Sequence, residues 1–345
     1  MDITELLDFS VKHNASDLHL SAGVPPIIRV DGDVRKLSMP ALDHSEVHRL
    51  VFDIMNDAQR REYEENLEVD FSFEIPDIGR FRVNAFHQSR GCSAVFRTIP
   101  IHIPTLESLN VPNVFYDIAQ LTRGLVLVTG ATGSGKSTTI AALVDYINTN
   151  YNRHILTIED PIEFVHSSKR CLINQREVHR DTLGFQNALR SALREDPDVI
   201  LVGELRDQET ISLALTAAET GHLVLGTLHT SSAAKTVDRI IDVFPGSDKS
   251  MVRSMLSESL RAVVSQSLLK CVSGGRVASH EIMMATPAIR NLIREDKVAQ
   301  MFSMIQTGSS MGMQTMEQSV KMLVAKGLVE AEEGRRIVDT SQRGF

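Results

Sequence analysis

At 345 residues the chain exceeds what one ordinary core accommodates, so two domains with small appendages are expected. Thirty-six Lys and Arg against 44 Asp and Glu give a formal charge of -8, which argues against a broad nonspecific nucleic-acid surface while leaving a local basic channel open. No uncharged apolar run approaches the length of a bilayer span, so no transmembrane segment is expected and any membrane association passes through a partner.

The N-terminus, Met1-Asp2-Ile3-Thr4-Glu5, is acidic and lacks the features of a signal peptide. Asp2 with Glu5 predicts a capping box for a helix to about Lys12, with Ile3, Leu6, Leu7 and Phe9 as its apolar stripe. A short strand follows at 16–21, then two strands over 25–37 around a turn at Asp31-Gly32. Asp43 and Glu46 form a second predicted capping box, opening a helix over about 44–62. Strands at 69–75, 80–86 and 92–99 complete a small α+β domain with a mostly antiparallel sheet, and the proline-rich stretch 100–112 reads as a linker. Arg80 and Arg82 share a strand face with Asn84, either a solvated face or one turned to a ligand, while alternation places Arg97 with Val95 and Ile99, where its guanidinium needs a partner. Facing a nucleotide, such arginines would neutralise triphosphate charge, an effect worth about 10³ to 10⁵ in rate in other nucleotide hydrolases. Cys92, Cys171 and Cys271 have neither zinc nor disulfide spacing and fit a reducing cytosol.

From Arg123 onward the rhythm becomes that of an α/β core. Almost wholly apolar strands are expected at 124–129, 154–158, 199–203 and 223–228, with helices at about 136–147, 182–194 and 207–219 between them. Function then belongs at the C-terminal ends of the strands. After the first strand stands Gly130-Ala131-Thr132-Gly133-Ser134-Gly135-Lys136-Ser137, with Thr138 continuing into the helix. This is a phosphate-binding loop in its required strand-turn-helix setting: backbone N–H groups surround a β-phosphate, Lys136 reaches the β/γ-phosphates and Ser137 holds Mg2+. After the second comes Glu159-Asp160-Pro161-Ile162-Glu163, carboxylates that can align a water or bind magnesium, with Glu163 favoured as the water-orienting base. The third ends in Glu204, a carboxylate for Mg2+ or its water, and Arg206 pairs either with it or with an acid across a subunit boundary. The fourth runs from His222 to His229, whose separation of roughly 23 Å excludes a shared metal. His229 is expected at the γ-phosphate or the catalytic water, and His222 at an interface or a structural hydrogen bond.

The remainder reads as mainly helical: 232–244, a long helix over 248–270, a strand over 276–284 containing Glu281, and a proline-initiated helix carrying Ala288-Ile289-Arg290-Asn291-Leu292-Ile293. Further helix is expected from Met301 and around 315–326, and the last dozen residues read as frayed or packed only locally.

Taken together, the phosphate loop, the acidic boxes at 155–163 and 196–204 and the histidine box at 216–230 resemble the secretion and pilus ATPase family, and within it the type IV pilus retraction ATPases. The resemblance runs from Ser16-Asp17-Leu18-His19-Leu20 to about Leu328; Ala131 stands where the family often has proline. It implies a PAS-like α+β domain at 1–99, a linker at 100–115, a RecA-like P-loop ATPase core at 116–270 and a C-terminal strand and helical region at 271–345. It further implies a homohexamer binding ATP and Mg2+ between the two domains, with Arg80, Arg82 and Arg97 completing the site, Glu159 and Glu204 toward the metal, and Glu163 as the catalytic carboxylate. The segment from Ala288 to Ile293 matches the family's retraction motif. The implied setting is the cytoplasmic face of the inner membrane, with a pilus platform protein and an accessory retraction ATPase as partners. The paired-cysteine insertion and long N-terminal extension of the assembly ATPases are absent. An assembly ATPase or an accessory retraction ATPase of the same family, a hexameric DNA helicase or packaging motor, and a nonhydrolytic nucleotide-dependent scaffold are the rival readings.

Overall fold

Strand and helix periodicity build each half of the chain around its own core. The computed structural model describes residues 2–30, 32–99 and 102–342, and the chain divides into units 1–102 and 103–345.

In the first unit, α1 (Ile3–Lys12) begins at Asp2, whose side chain accepts from the Thr4 amide, in place of the reciprocal box expected with Glu5. Strands β1 (Asp17–Ser21), β2 (Ile27–Val30) and β3 (Asp33–Lys36) follow. Of the expected turn, Gly32 has a positive φ of 93°, and Asp31 lies outside the described residues, as do Pro100 and Ile101 of the expected linker. The helix predicted over 44–62 is two helices, α2 (His44–Phe52) and α3 (Asp57–Asn66). A capping box forms at Asp43 and Glu46 as expected, but Asn56 and Gln59 form another that starts α3 afresh. Strands β4 (Glu68–Ile75), β5 (Gly79–Gln88) and β6 (Gly91–Ile99) complete an antiparallel sheet of order β3-β2-β1-β6-β5-β4. Phe81, Val83 and Ala85 face its core, leaving Arg80 and Arg82 half-buried on the other side.

The second unit opens with α4 (Val114–Gln120), β7 (Gly124–Thr129), α5 (Lys136–Asn150) and β8 (His154–Glu159). Then come β9 (Leu172–Glu177), α6 (Phe185–Ala192), β10 (Val199–Val202), α7 (Gln208–Glu219), β11 (Leu223–Leu228), α8 (Ala233–Asp242) and α9 (Lys249–Ser259). β12 (Leu260–Lys270), β13 (Arg276–Met284), α10 (Pro287–Arg294), α11 (Met301–Thr307), α12 (Met316–Ala325) and α13 (Ala331–Gln342) end the chain. The seven-stranded sheet has order β13-β12-β7-β11-β10-β8-β9, with every pairing parallel except β12 with β13. Its central strands β7, β10 and β11 are buried throughout, as sheet faces covered by helices on both sides require.

Three expectations are corrected here. The long helix over 248–270 stops at Ser259, and 260–270 is a strand, because Ala262, Val263 and Val264 fill the slot between β7 and β13. Strand β9 had no counterpart in the sequence reading; its residues Leu-Ile-Asn-Gln-Arg-Glu are polar enough for the sheet edge that it occupies beside β8. Of the last dozen residues, expected to be frayed or packed only locally, 334–342 belong to helix α13, whose Ile337 and Val338 pack on a cluster that includes the distant Leu269 with Met316 and Val320; 343–345 lie outside the described residues.

Candidate active site

The strand order sets the chemistry. Neighbouring strands β7, β11, β10 and β8 all point the same way, so the segments leaving them meet at one edge. There a cavity of about 180 Å3 is lined by Thr132, Gly133, Lys136, Ser137, Glu159, Glu163, Glu204, Arg206 and His229, among others.

The loop after β7 is held from behind by β12. Gln266 donates from Nε2 to the Ser134 carbonyl at 2.7 Å and accepts from Thr139 Oγ1 at 2.8 Å. That close approach explains Gly130, where a Cβ would stand 2.3 Å from the Gln266 carbonyl oxygen, and Gly135, where it would stand 2.8 Å from Gln266 Nε2. Gly135 also occupies the cap position of α5 and offers no side-chain acceptor, so the first amides of that helix have no cap. Ser134 Oγ is buried without a hydrogen-bond partner. The ammonium of Lys136, itself buried, donates to the carbonyls of Gly130 at 2.8 Å and Ala131 at 3.1 Å. Burial draws its pKa below the usual lysine range, against the fields of Glu204 and Glu163. Uncapped amides, an orphaned hydroxyl and a cation curled onto its own loop are what a phosphate chain would satisfy together. Ser137, Glu159 and Glu204 add oxygen donors of the kind that hold Mg2+. Thr138 is half-buried on α5 and is not among the residues that line the cavity.

Opposite the loop, the two oxygens of the Glu204 carboxylate contact different side chains: the Arg206 guanidinium at 2.8 Å and His229 Nε2 at 3.2 Å. Of the two partners open to Arg206 in the sequence, this chain supplies Glu204. His229 Nδ1 lies 3.5 Å from Lys136 Nζ, so the loop, β10 and β11 are joined side chain to side chain. Thr227 on β11 donates to the Gly203 carbonyl and steadies the same corner. From β8, Glu159 accepts from Thr157 Oγ1 at 2.7 Å and Gln175 Nε2 at 3.2 Å. Burial pushes its pKa up to about 7, opposed by those bonds and one from the Glu163 amide. Glu163 lies beyond the Asp160-Pro161 turn and lines the cavity with it.

Within the second unit, other expected residues lie outside this cavity. His222 lies at the far end of β11, its Nδ1 bonded to the Ala217 carbonyl at 3.0 Å, a structural bond. In the motif helix α10, Ile289 and Ile293 are buried, Arg290 and Leu292 half-buried, and Ala288 and Asn291 exposed. In the first unit Arg80 bonds Ser72 Oγ at 3.2 Å. Arg97 sits in register between Asp17 and Arg82 and is exposed, not sequestered as its place beside Val95 and Ile99 suggested; it bonds the buried Asp17 carboxylate at 3.0 Å, so the group that needs the partner is Asp17. Gln266, Gln175, Thr227 and His166 were missed. Gln266 was hidden by the helix reading of β12 and Gln175 by the missing β9; Thr227 lies in the histidine box but was given no role there, and His166 carries no motif.

Sequence comparison adds independent findings. The profile of the family described as Type II/IV secretion system protein matches residues 2–274. The type IV pilus retraction ATPase PilT of Pseudomonas aeruginosa is 70% identical over 335 residues, 97% of each chain. A twitching motility protein of Neisseria gonorrhoeae is 64% identical over 318 residues, 92% of this chain and 85% of the relative. A crystal structure of the pilus retraction motor PilT with bound ADP superposes with a TM-score of 0.91 at 46% identity, covering 98% of this chain and 97% of the other.

Proposed function

The chain belongs to the Type II/IV secretion system protein family, and on that premise we propose that it is a hexameric ATPase motor whose ATP hydrolysis powers type IV pilus retraction and twitching motility. The observation that carries the chemistry is the chain of contacts from the phosphate loop through Lys136 and His229 to Glu204. The second unit is a RecA-like P-loop NTPase domain followed by a helical C-terminal region.

In this reading the loop amides and Lys136 bind the phosphates, with Lys136 exchanging its two carbonyl partners for phosphate oxygens. Ser137, Glu204 and Glu159 would hold Mg2+, which when bound neutralises charge on the β- and γ-phosphates. Glu163 orients the attacking water and takes its proton. His229, already tied to Glu204 and Lys136, reports whether the γ-phosphate is present. Arg206 holds the Glu204 carboxylate from its second oxygen. Arg80, Arg82 and Arg97 are candidate triphosphate ligands in the assembled ring, where Arg97 would exchange Asp17 for phosphate. The antiparallel order of the first unit supports a PAS-like reading. We place the motor at the cytoplasmic face of the inner membrane, acting on the pilus platform protein through α10 and its neighbours, with an accessory retraction ATPase as a further partner. Among the described residues no helix is long and apolar enough to cross a membrane.

The test is complementation of a deletion strain with wild-type protein or Glu204→Ala. Surface pili retained with twitching lost is the expected result for the variant; loss of pili would assign the motor to assembly.

A further inference from the structure

At the sheet edge opposite the nucleotide cavity, three arginines come from adjacent structural positions. Arg123 immediately precedes β7 at Gly124, and Arg261 lies at the start of β12, the next strand over. A Cβ on Gly124, the residue after Arg123, would stand 2.6 Å from Arg261 Cγ, so the Arg261 stem lies over the Gly124 backbone, within the field of Arg123. On the other side of β12, the Ala285 amide donates to the Arg261 carbonyl at 2.8 Å, and Arg290 Nε donates to the Ala285 carbonyl at 2.9 Å. Arg123 is exposed, while Arg261 and Arg290 are half-buried.

The positive charge is not balanced locally. Among the described residues none of these three guanidinium groups forms an ion pair, and Arg261 spends NH1 on the carbonyls of Glu258 and Leu260. The carboxylate that reaches Arg261, that of Glu258, is bonded at 2.9 Å to Arg294, one turn beyond Arg290. Burial, together with the fields of Arg290 and Arg123, holds the Arg261 pKa below its ordinary range. A protein of net charge -8 thus gathers like charges where crowding disfavours them.

We propose that Arg123, Arg261 and Arg290 form a docking site for an acidic segment of a partner protein. Two strand spacings set the cluster at about 10 Å across, which matches successive carboxylates about 5–6 Å apart on one face of a helix. All three cations are arginine, whose planar fork binds carboxylate in a bidentate manner and tolerates partial burial better than lysine. A lipid surface is the weaker match. Anionic membranes recruit broad clusters of about four to eight basic residues, and they would repel the remainder of this acidic chain. A short acidic segment interacts within about one Debye length, roughly 8–10 Å, and so meets mainly the cluster. Because Arg290 lies on α10, the inference rests on the reading of that helix as a partner-contacting element and adds the chemistry of what it binds; it uses no residue of the nucleotide cavity, so ATP turnover by the same variants tests the motor assignment separately.

The experiment uses the full-length protein and a fluorescein-labelled ten-residue helical peptide with glutamates at i, i+3 and i+7, followed by fluorescence anisotropy at low and high salt. Its glutamine counterpart and vesicles containing phosphatidylglycerol are the other arms. Salt-sensitive binding of the glutamate peptide, absent for the glutamine peptide, is expected, and Arg123→Glu weakens it by about tenfold or more. Arg261→Lys, which keeps the charge but loses the fork, gives an intermediate loss, and thermal melts confirm that both variants are folded. Failure of the peptide to bind, or equal binding to wild type and Arg123→Glu, overturns the proposal. So does arginine-dependent vesicle binding without peptide binding, which would assign the cluster to lipid.

Discussion

Glu163 and Glu159 face one cavity and differ in what surrounds them. Glu159 is fixed by Thr157 and Gln175, and burial pushes its pKa up to about 7. Glu163 instead stands beyond the turn on the cavity wall, within electrostatic reach of Lys136. Glu163→Gln keeps the shape and removes the base, so nucleotide binding should persist while turnover falls about 10²- to 10⁴-fold. Equilibrium binding of a fluorescent ATP analogue beside steady-state phosphate release separates the two effects. Unchanged turnover would transfer the role to another group. Lys136→Ala is expected to differ in kind, losing binding and turnover together, because it removes the cation already poised between the loop carbonyls and His229. The same measurements distinguish the two variants.

β12 shows how an element far along the chain shapes the first motif. Its residues Leu260 to Leu269 are apolar at spacings that suit a helical stripe as well as a doubly covered strand. Sheet partners on both sides decide the matter, and the decision brings Gln266 under the phosphate loop. Gln266→Ala should therefore loosen the loop without touching phosphate or water. The expected signature is a KM for ATP raised about tenfold, with kcat changed less, at a stability cost of about 1–3 kcal/mol from the unpaired buried Ser134 carbonyl. Steady-state kinetics and thermal melts measure both. An equal fall in kcat and kcat/KM would mean that Gln266 acts in the transition state. Glu281 has a comparable role in β13, where its buried carboxylate accepts the Ala233 amide at 2.8 Å and so fixes the start of α8 just after the histidine loop.

At the scale of the whole molecule, two buried histidines of the second unit drive the acid limb of the pH response, opposed by the buried carboxyls of Glu159 and Glu281, whose pKa values burial raises. Burial lowers both His166 and His280 from 6.5 to about 4. Because the folded pKa lies below the unfolded one, the unfolded chain binds more protons between these values. The stabilisation from keeping each ring neutral is complete above pH 6.5 and is lost as pH falls toward 4, by at most about 3 kcal/mol per histidine. His280 packs its ring edge-on against Phe115, with Nε2 buried and unpartnered. His280→Leu should flatten the acid limb of a plot of melting temperature against pH. An unaltered limb would show that protonation of this ring does not drive acid unfolding.

The sequence by itself determined the phosphate loop, the doubly buried strands before each acidic or histidine box, and the direction of the sheet's functional edge. Those signals are local: glycine spacing, a run of apolar residues, a carboxylate placed where a strand must end. Only the tertiary structure decided that 260–270 is a strand, that Asn56 divides a helix, that Asp17 answers Arg97, and that three arginines distant in sequence meet at one sheet edge. Each of those outcomes depends on partners brought together by pairing across the chain. A residue's own neighbours in sequence carry the same apolar or charged pattern whether or not those partners arrive.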